Sequence, residues 1–140
     1  MQRLVIDQKA RVGAWVAAQV EQSASWGDFY AMGVENAEGE LVAGVVVNNY
    51  NGSNATCHVA IVQAGKGLVL MLRAVADYAF RQCGLKRLTG MVPASNPRAL
   101  AFDRHLGWED EYVMPCGAHD GGDLHILVMW PDRCPWLKGA

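Results

Sequence analysis

The 140-residue chain lacks the features that would mark a membrane protein, a disulfide scaffold or a binder of long polyanions. No apolar run approaches the roughly 18 residues of a membrane-spanning helix. The opening Met1-Gln2-Arg3-Leu4-Val5-Ile6-Asp7 is too short an apolar stretch for a secretory signal, so the expected compartment is the cytoplasm. Four cysteines (Cys57, Cys83, Cys116, Cys134) include no Cys-x-x-Cys pair. Neither a zinc site nor a redox dithiol is indicated, and the expectation is reduced thiols and no metal. Charged residues make up 19%, and the net charge of −2 provides no global basic field for a nucleic acid or an anionic membrane. Repeats, low-complexity tracts and linkers are also missing. What the chain does have is 51% hydrophobic residues, enough for one core, so residues 1–140 read as a single globular domain.

Periodicity orders the elements. Arg3 to Ile6 reads as a short strand, and Gln8 to Glu21 as an amphipathic helix carrying Val12, Trp15, Val16, Ala18 and Val20, broken by Ser23 to Gly27. Phe29–Val34 and Leu41–Val47 flank the turn-forming cluster 36–40 and predict a hairpin. A second hairpin turns through 48–54 and returns as Thr56 to Val62. Leu68, Met71, Leu72, Val75, Tyr78 and Ala79 recur at helical spacing and predict one long helix, with Gly84 at its left-handed C-cap. Leu85 to Val92 resumes as a strand. Asn96-Pro97 opens another helix, because Asn accepts hydrogen bonds from orphan N–H groups and Pro at the first helical position has no such group to lose. Gly107 closes it, and Glu111–Pro115 and Leu124–Trp130 read as the last strands. This order implies an α/β mixed sheet with helices on its faces.

The stretch with chemical content is Val59-Ala60-Ile61-Val62-Gln63-Ala64-Gly65-Lys66-Gly67-Leu68, a strand leading through a glycine-bearing loop into the best helix. The first N–H groups of a helix have no partner within it and lie at its positive dipole end, so such a loop suits an anion. It matches neither the Gly-x-x-x-x-Gly-Lys-[Ser/Thr] nor the Gly-x-Gly-x-x-Gly phosphate motif. From Lys66 to Arg104 there are seven basic residues against two acidic ones, a local excess suited to one polyphosphate.

Downstream, Asn96-Pro97-Arg98-Ala99-Leu100-Ala101-Phe102-Asp103-Arg104-His105-Leu106-Gly107-Trp108 resembles the Asn-x-x-Ala segment ending in Leu-Gly-aromatic of the GNAT acyltransferases, at a fitting distance from the glycine loop. The resemblance extends from Phe29 onward and includes Asp77-Tyr78-Ala79-Phe80 and Lys86-Arg87-Leu88-Thr89. The C-terminal part, from Asp120-Gly121-Gly122-Asp123 to Cys134-Pro135-Trp136-Leu137, is most similar to bacteriophage and prophage members. The resemblance implies the GNAT fold: a twisted, mostly antiparallel mixed sheet with a central parallel strand splay between 57–62 and 85–92, and helices on both faces. It implies acetyl-CoA as cosubstrate, held by backbone groups at Val59 and Ile61, by the N–H groups of Gly65, Lys66, Gly67 and Leu68, and by Asn96, with Arg98 or Arg104 meeting a phosphate. It also implies an amine acceptor (small molecule, lysine or protein N-terminus), and a homodimer is compatible with it. The alternative is a GNAT fold that binds CoA or a protein without turnover.

The chain departs from the family in three places. The positions of the [Gln/Arg]-x-x-Gly-x-[Gly/Ala] pattern fall on Ala64, Gly67 and Val69, so only the glycine is kept. Asp103 stands where many members carry a tyrosine acid, and a carboxyl is a poor acid at pH 7 unless buried. No Glu lies between Glu40 and Glu109 to act as base. His58 is the replacement candidate, since an imidazole titrating near neutrality suits a base. Its rivals are a half-buried structural histidine and deprotonation through water. Tyr50 and Trp26 can shape an acceptor pocket or simply pack.

Overall fold

The computed structural model describes residues 1–20 and 26–137, so the expected break at 23–27 lies partly outside the described residues. Seven strands form one sheet: β1 (Arg3–Val5), β2 (Phe29–Glu35), β3 (Leu41–Asn48), β4 (Asn54–Ile61), β5 (Arg87–Pro93), β6 (Glu109–Met114) and β7 (Leu124–Met129). Their order across the sheet is β1-β2-β3-β4-β5-β7-β6. Every neighbouring pair is antiparallel except β4 with β5.

Three helices cover the sheet: α1 (Lys9–Gln19), α2 (Lys66–Ala76) and α3 (Pro97–His105). Strand side chains alternate between faces, and the burial follows that alternation. Ala31, Val46 and Ala60 meet Val12, Val16 and Ala17 of α1 on one face. Met32, Val34, Val45, Val47 and Cys57 meet Leu68, Met71, Leu72 and Val75 of α2, with Leu100 of α3, on the other. Helices on both faces of a mostly antiparallel mixed sheet is the architecture the family resemblance implies.

The long helix departs from expectation in its last two turns. After Ala76 the chain winds as a wider π-helix over Asp77–Gln82, sealed by Cys83 N–H donating to the Tyr78 carbonyl at 2.9 Å. A continued α-helix would rotate Phe80 off the apolar stripe. The wider turn brings it into the core beside Ala79. Gly84 then takes the left-handed conformation expected of it, with φ +66°. At α3 the Asn96 side chain accepts from the Ala99 N–H at 3.2 Å, as its N-cap position requires.

The centre of the sheet positions the site. β4 and β5 are hydrogen-bonded only from Asn54↔Arg87 to Thr56↔Thr89. Beyond that they part, while β4 stays paired to β3 as far as Ile61 and β5 to β7 as far as Pro93. Because the two strands are parallel, the chain leaves both at the same end. The N-termini of α2 and α3 therefore both stand at the end where the gap opens, the end at which ligands of α/β sheets bind.

Candidate functional site

Four elements converge on the gap. β4 presents 57–61 along it, the inner edge of that segment free of β5. Side chains alternate here: Cys57, Val59 and Ile61 belong to the α2 face, whereas His58 lies on the α1 face against Trp26. The expected backbone positions, Val59 and Ile61, thus lie along the open edge, and His58 projects from the same segment toward the opposite face from α2.

His58 is held from two sides. Its Nε2 lies 3.0 Å from Asn48 Oδ1, and the Trp26 indole tilts over its ring at a centroid separation of 4.6 Å. Trp26 is itself fixed by its Nε1–H donating to the Gly13 carbonyl at 2.9 Å. Burial disfavours the charged ring and lowers its pKa to about 4. The imidazole is neutral at pH 7, a weaker base than one titrating at its ordinary value.

Asp103 comes from α3 on the other face and shares an electrostatic environment with Cys57 of β4. Desolvation raises its carboxyl to about 6. About a tenth of a carboxyl with that pKa keeps its proton at pH 7, by the same logic that lets buried acids serve as proton donors. Cys57 is buried, and desolvation together with the Asp103 charge pushes its thiol up to about 12. A thiol so protonated is not a nucleophile at neutral pH.

The glycine loop contains a residue that sequence reading missed. The Gly67 N–H donates to Gln2 Oε1 at 2.9 Å, and Gln2 Nε2 donates to the Ala64 carbonyl at 3.3 Å. A side chain 65 positions away by sequence thus reaches one of the expected anion donors. Gly67 must be small for a separate reason: a Cβ there would lie 2.5 Å from Val34 Cγ1 in the core. Gly65 and Lys66 are exposed, while Gly67 and Leu68 are buried. Asn96 uses its Oδ1 for capping, and Arg98 is exposed in the first turn of α3. Arg104, the other phosphate candidate, is paired with Asp110 at 3.1 Å. Tyr50 is exposed at the β3–β4 turn.

No sequence signal pointed to Gln2. Asn48 was concealed differently: it read as the first residue of an Asn-rich turn, yet it ends β3 and is buried. Among the described residues no group of three or more His, Cys, Asp or Glu is placed to hold a metal, and no helix is long and apolar enough to cross a membrane.

No family model and no curated protein matches the chain. Solved structures do. Mutant forms of the spermidine/spermine N-acetyltransferase SpeG from Vibrio cholerae superpose with a TM-score of 0.73 at 15% identity, over 94% of this chain and 96% of that one. A dodecameric structure of spermidine N-acetyltransferase from the same organism gives 0.74 at 14% identity, over 94% of each chain. SpeG in complex with manganese ions gives 0.73 at 14% identity, over 94% of this chain and 93% of that one. At such identities the likeness concerns the fold, and the fold of this chain is that of the GNAT acetyltransferases.

Proposed function

We propose that the protein transfers an acetyl group from acetyl-CoA to an amine by direct attack within a ternary complex. The observation that carries this reading is the parting of β4 and β5 after Thr56 and Thr89, with two helix N-termini at its open end. The residues present fit such a cosubstrate in part: an unpaired strand edge for an amide-bearing arm, and the loop N–H groups of Gly65 and Lys66 with the cations Lys66 and Arg98 for phosphates, while the Gly67 N–H donates to Gln2 and the Leu68 N–H to the Gly65 carbonyl at 3.2 Å. The thioester supplies an activated acetyl group. Holding it and the amine together would replace a bimolecular encounter and provide much of the rate. An N–H on the inner edge of 57–61 would donate to the acetyl carbonyl as negative charge develops there. His58 would accept the proton the amine gives up, which becomes more acidic as its nitrogen bonds to carbon, so an imidazole with a pKa of about 4 suffices. Asp103, raised by burial, would return a proton to the departing sulfur.

The acceptor in this reading is an amine: a small molecule, a lysine or a protein N-terminus. The neighbours named for spermidine put polyamines first on the panel to be tried, and the C-terminal resemblance makes phage-borne members the branch to compare. A homodimer belongs to the same reading, and sedimentation at rising concentration checks it. A second reading, CoA binding without turnover, is favoured by Gln2 at the Gly67 N–H and by Ala64 and Val69 in the motif. Thermal denaturation with and without acetyl-CoA, followed by thiol release over polyamines, lysine and a peptide N-terminus, separates the two. A stabilising shift with thiol release supports the enzyme. A shift without release supports the binding module, and no shift refutes both.

A further inference from the structure

Asn48 is one of three polar or charged residues buried among the described residues, the others being Glu35 and Thr56. Its carboxamide is used at both ends. Nδ2 donates to the Trp26 carbonyl at 3.1 Å, and Oδ1 faces His58 Nε2 at 3.0 Å. A main-chain carbonyl only accepts, so the nitrogen end of the amide must point at Trp26 and the oxygen end at His58. An amide oxygen also only accepts, so His58 Nε2 must carry a hydrogen. A neutral imidazole has one N–H, which leaves Nδ1 with its lone pair. Nδ1 has no hydrogen-bond partner among the described residues.

We infer that Asn48 is a positioning residue: it fixes His58 as the Nε2–H tautomer and so presents Nδ1 as the atom that takes up the amine's proton. This rests on the reading of His58 as the base. The proton balance is simple. The N–H bond of the attacking amine breaks as an Nδ1–H bond forms, and the resulting imidazolium later gives that proton to water. While charged, the ring donates from Nε2 to Asn48 Oδ1 in a charge-assisted bond, shorter and stronger than the neutral one. Asn48 therefore sets the ring before proton transfer and stabilises it afterwards. The Trp26 indole packs against the ring, tilted by 50° to it.

The test uses the full chain labelled with 15N-histidine, the His58 signals being assigned by their loss in His58→Gln. In the unmodified protein Nε2 should appear protonated and Nδ1 bare. Asn48→Asp keeps an acceptor opposite Nε2, although it gives up the donor to the Trp26 carbonyl, and should keep Nε2 protonated. Asn48→Leu removes the acceptor and should populate the Nδ1–H form, with kcat lower by at least about tenfold and KM for acetyl-CoA unchanged. If Asn48→Leu does not fold, the unmodified protein and Asn48→Asp still decide the matter. A protonated Nδ1 in the unmodified protein, or an unaltered pattern in folded Asn48→Leu, overturns the inference. Full activity in His58→Gln would instead remove the base reading and leave the tautomer standing.

Discussion

Asp103 offers a test in which stability and activity should move in opposite directions. Burial raises its carboxyl from an ordinary 3.8 to about 6. Between those two values the unfolded chain has released a proton that the folded chain retains. Folded stability therefore falls as pH rises through that window, and the loss is complete above about 6. The gap corresponds to about 3 kcal/mol. Asp103→Asn keeps the side chain's shape and removes the ionisation, so it should raise stability at pH 8 by about 2–3 kcal/mol, the full gap less what imperfect amide pairing costs. For a chain of 140 residues that is a rise in Tm on the order of 8 °C. At pH 4 the carboxyl is protonated in the fold, and the same substitution should change Tm by no more than about a degree or two. Circular-dichroism melts of both proteins at pH 4, 6 and 8 read this directly. Equal effects at pH 4 and pH 8, or a lower Tm at pH 8, would refute the argument from desolvation. The same variant should lose acetyl transfer by about tenfold or more if the carboxyl protonates the departing sulfur.

The glycine loop yields further expectations. Gln2→Ala frees the Gly67 N–H from a neutral hydrogen bond and should tighten acetyl-CoA binding by about two- to tenfold in a calorimetric titration. Gln2→Glu puts a carboxylate at the positive end of α2 and should weaken it. Weaker binding in Gln2→Ala would mean that the carboxamide assists the ligand. Gly67→Ala forces a Cβ toward Val34 and should cost about 1–3 kcal/mol in urea unfolding; an unchanged midpoint would mean that the helix start can shift freely. Lys66→Ala and Arg98→Ala should each weaken acetyl-CoA binding more at low salt than at high salt, whereas an equal loss at both would exclude a screened charge contact. His58→Gln should lower kcat by about a hundredfold with little change in KM, and an unaltered kcat would return the base role to water.

What the sequence disclosed was local. The α2 stripe, the cap at Asn96-Pro97 and the turn at Gly84 each follow from neighbouring residues, and each is where periodicity and turn chemistry put it. The gap between β4 and β5 entered through the family resemblance, because no local pattern says where two strands stop pairing. The π-helical stretch was hidden because Tyr78 and Ala79 fit an α-helical stripe; Phe80, the residue that does not, is the one the wider turn accommodates. Site chemistry was legible by residue type but not by environment. Asp103 read as an ionised carboxylate and His58 as a base of ordinary strength, and burial shifts both, one up and one down. The contacts of Gln2 and Asn48 join elements distant in sequence, so spacing could not reveal them.

The distribution of charge shows the same difference between sequence and space. Of the seven basic residues between Lys66 and Arg104, Arg81 pairs with Asp77, Arg104 with Asp110 and Arg87 with Glu111, the last through two short contacts of 2.6 and 2.7 Å. Asp110 and Glu111 lie on β6, outside the basic stretch, so the excess counted along the chain is partly neutralised across the sheet. Lys66, Arg73, Lys86 and Arg98 have no ion pair among the described residues. Two of these, Lys66 and Arg98, stand in the first turns of the helices that begin at the open end of the gap. Their charges add to the dipoles of those helix ends, and at physiological salt their reach is limited to about 8 Å. In the proposed reading a field so confined suits one small polyanion better than the successive phosphates of a long nucleic acid. In that reading the near-neutral composition has a physical role: it would leave the open end of the gap as the place for a small polyanion.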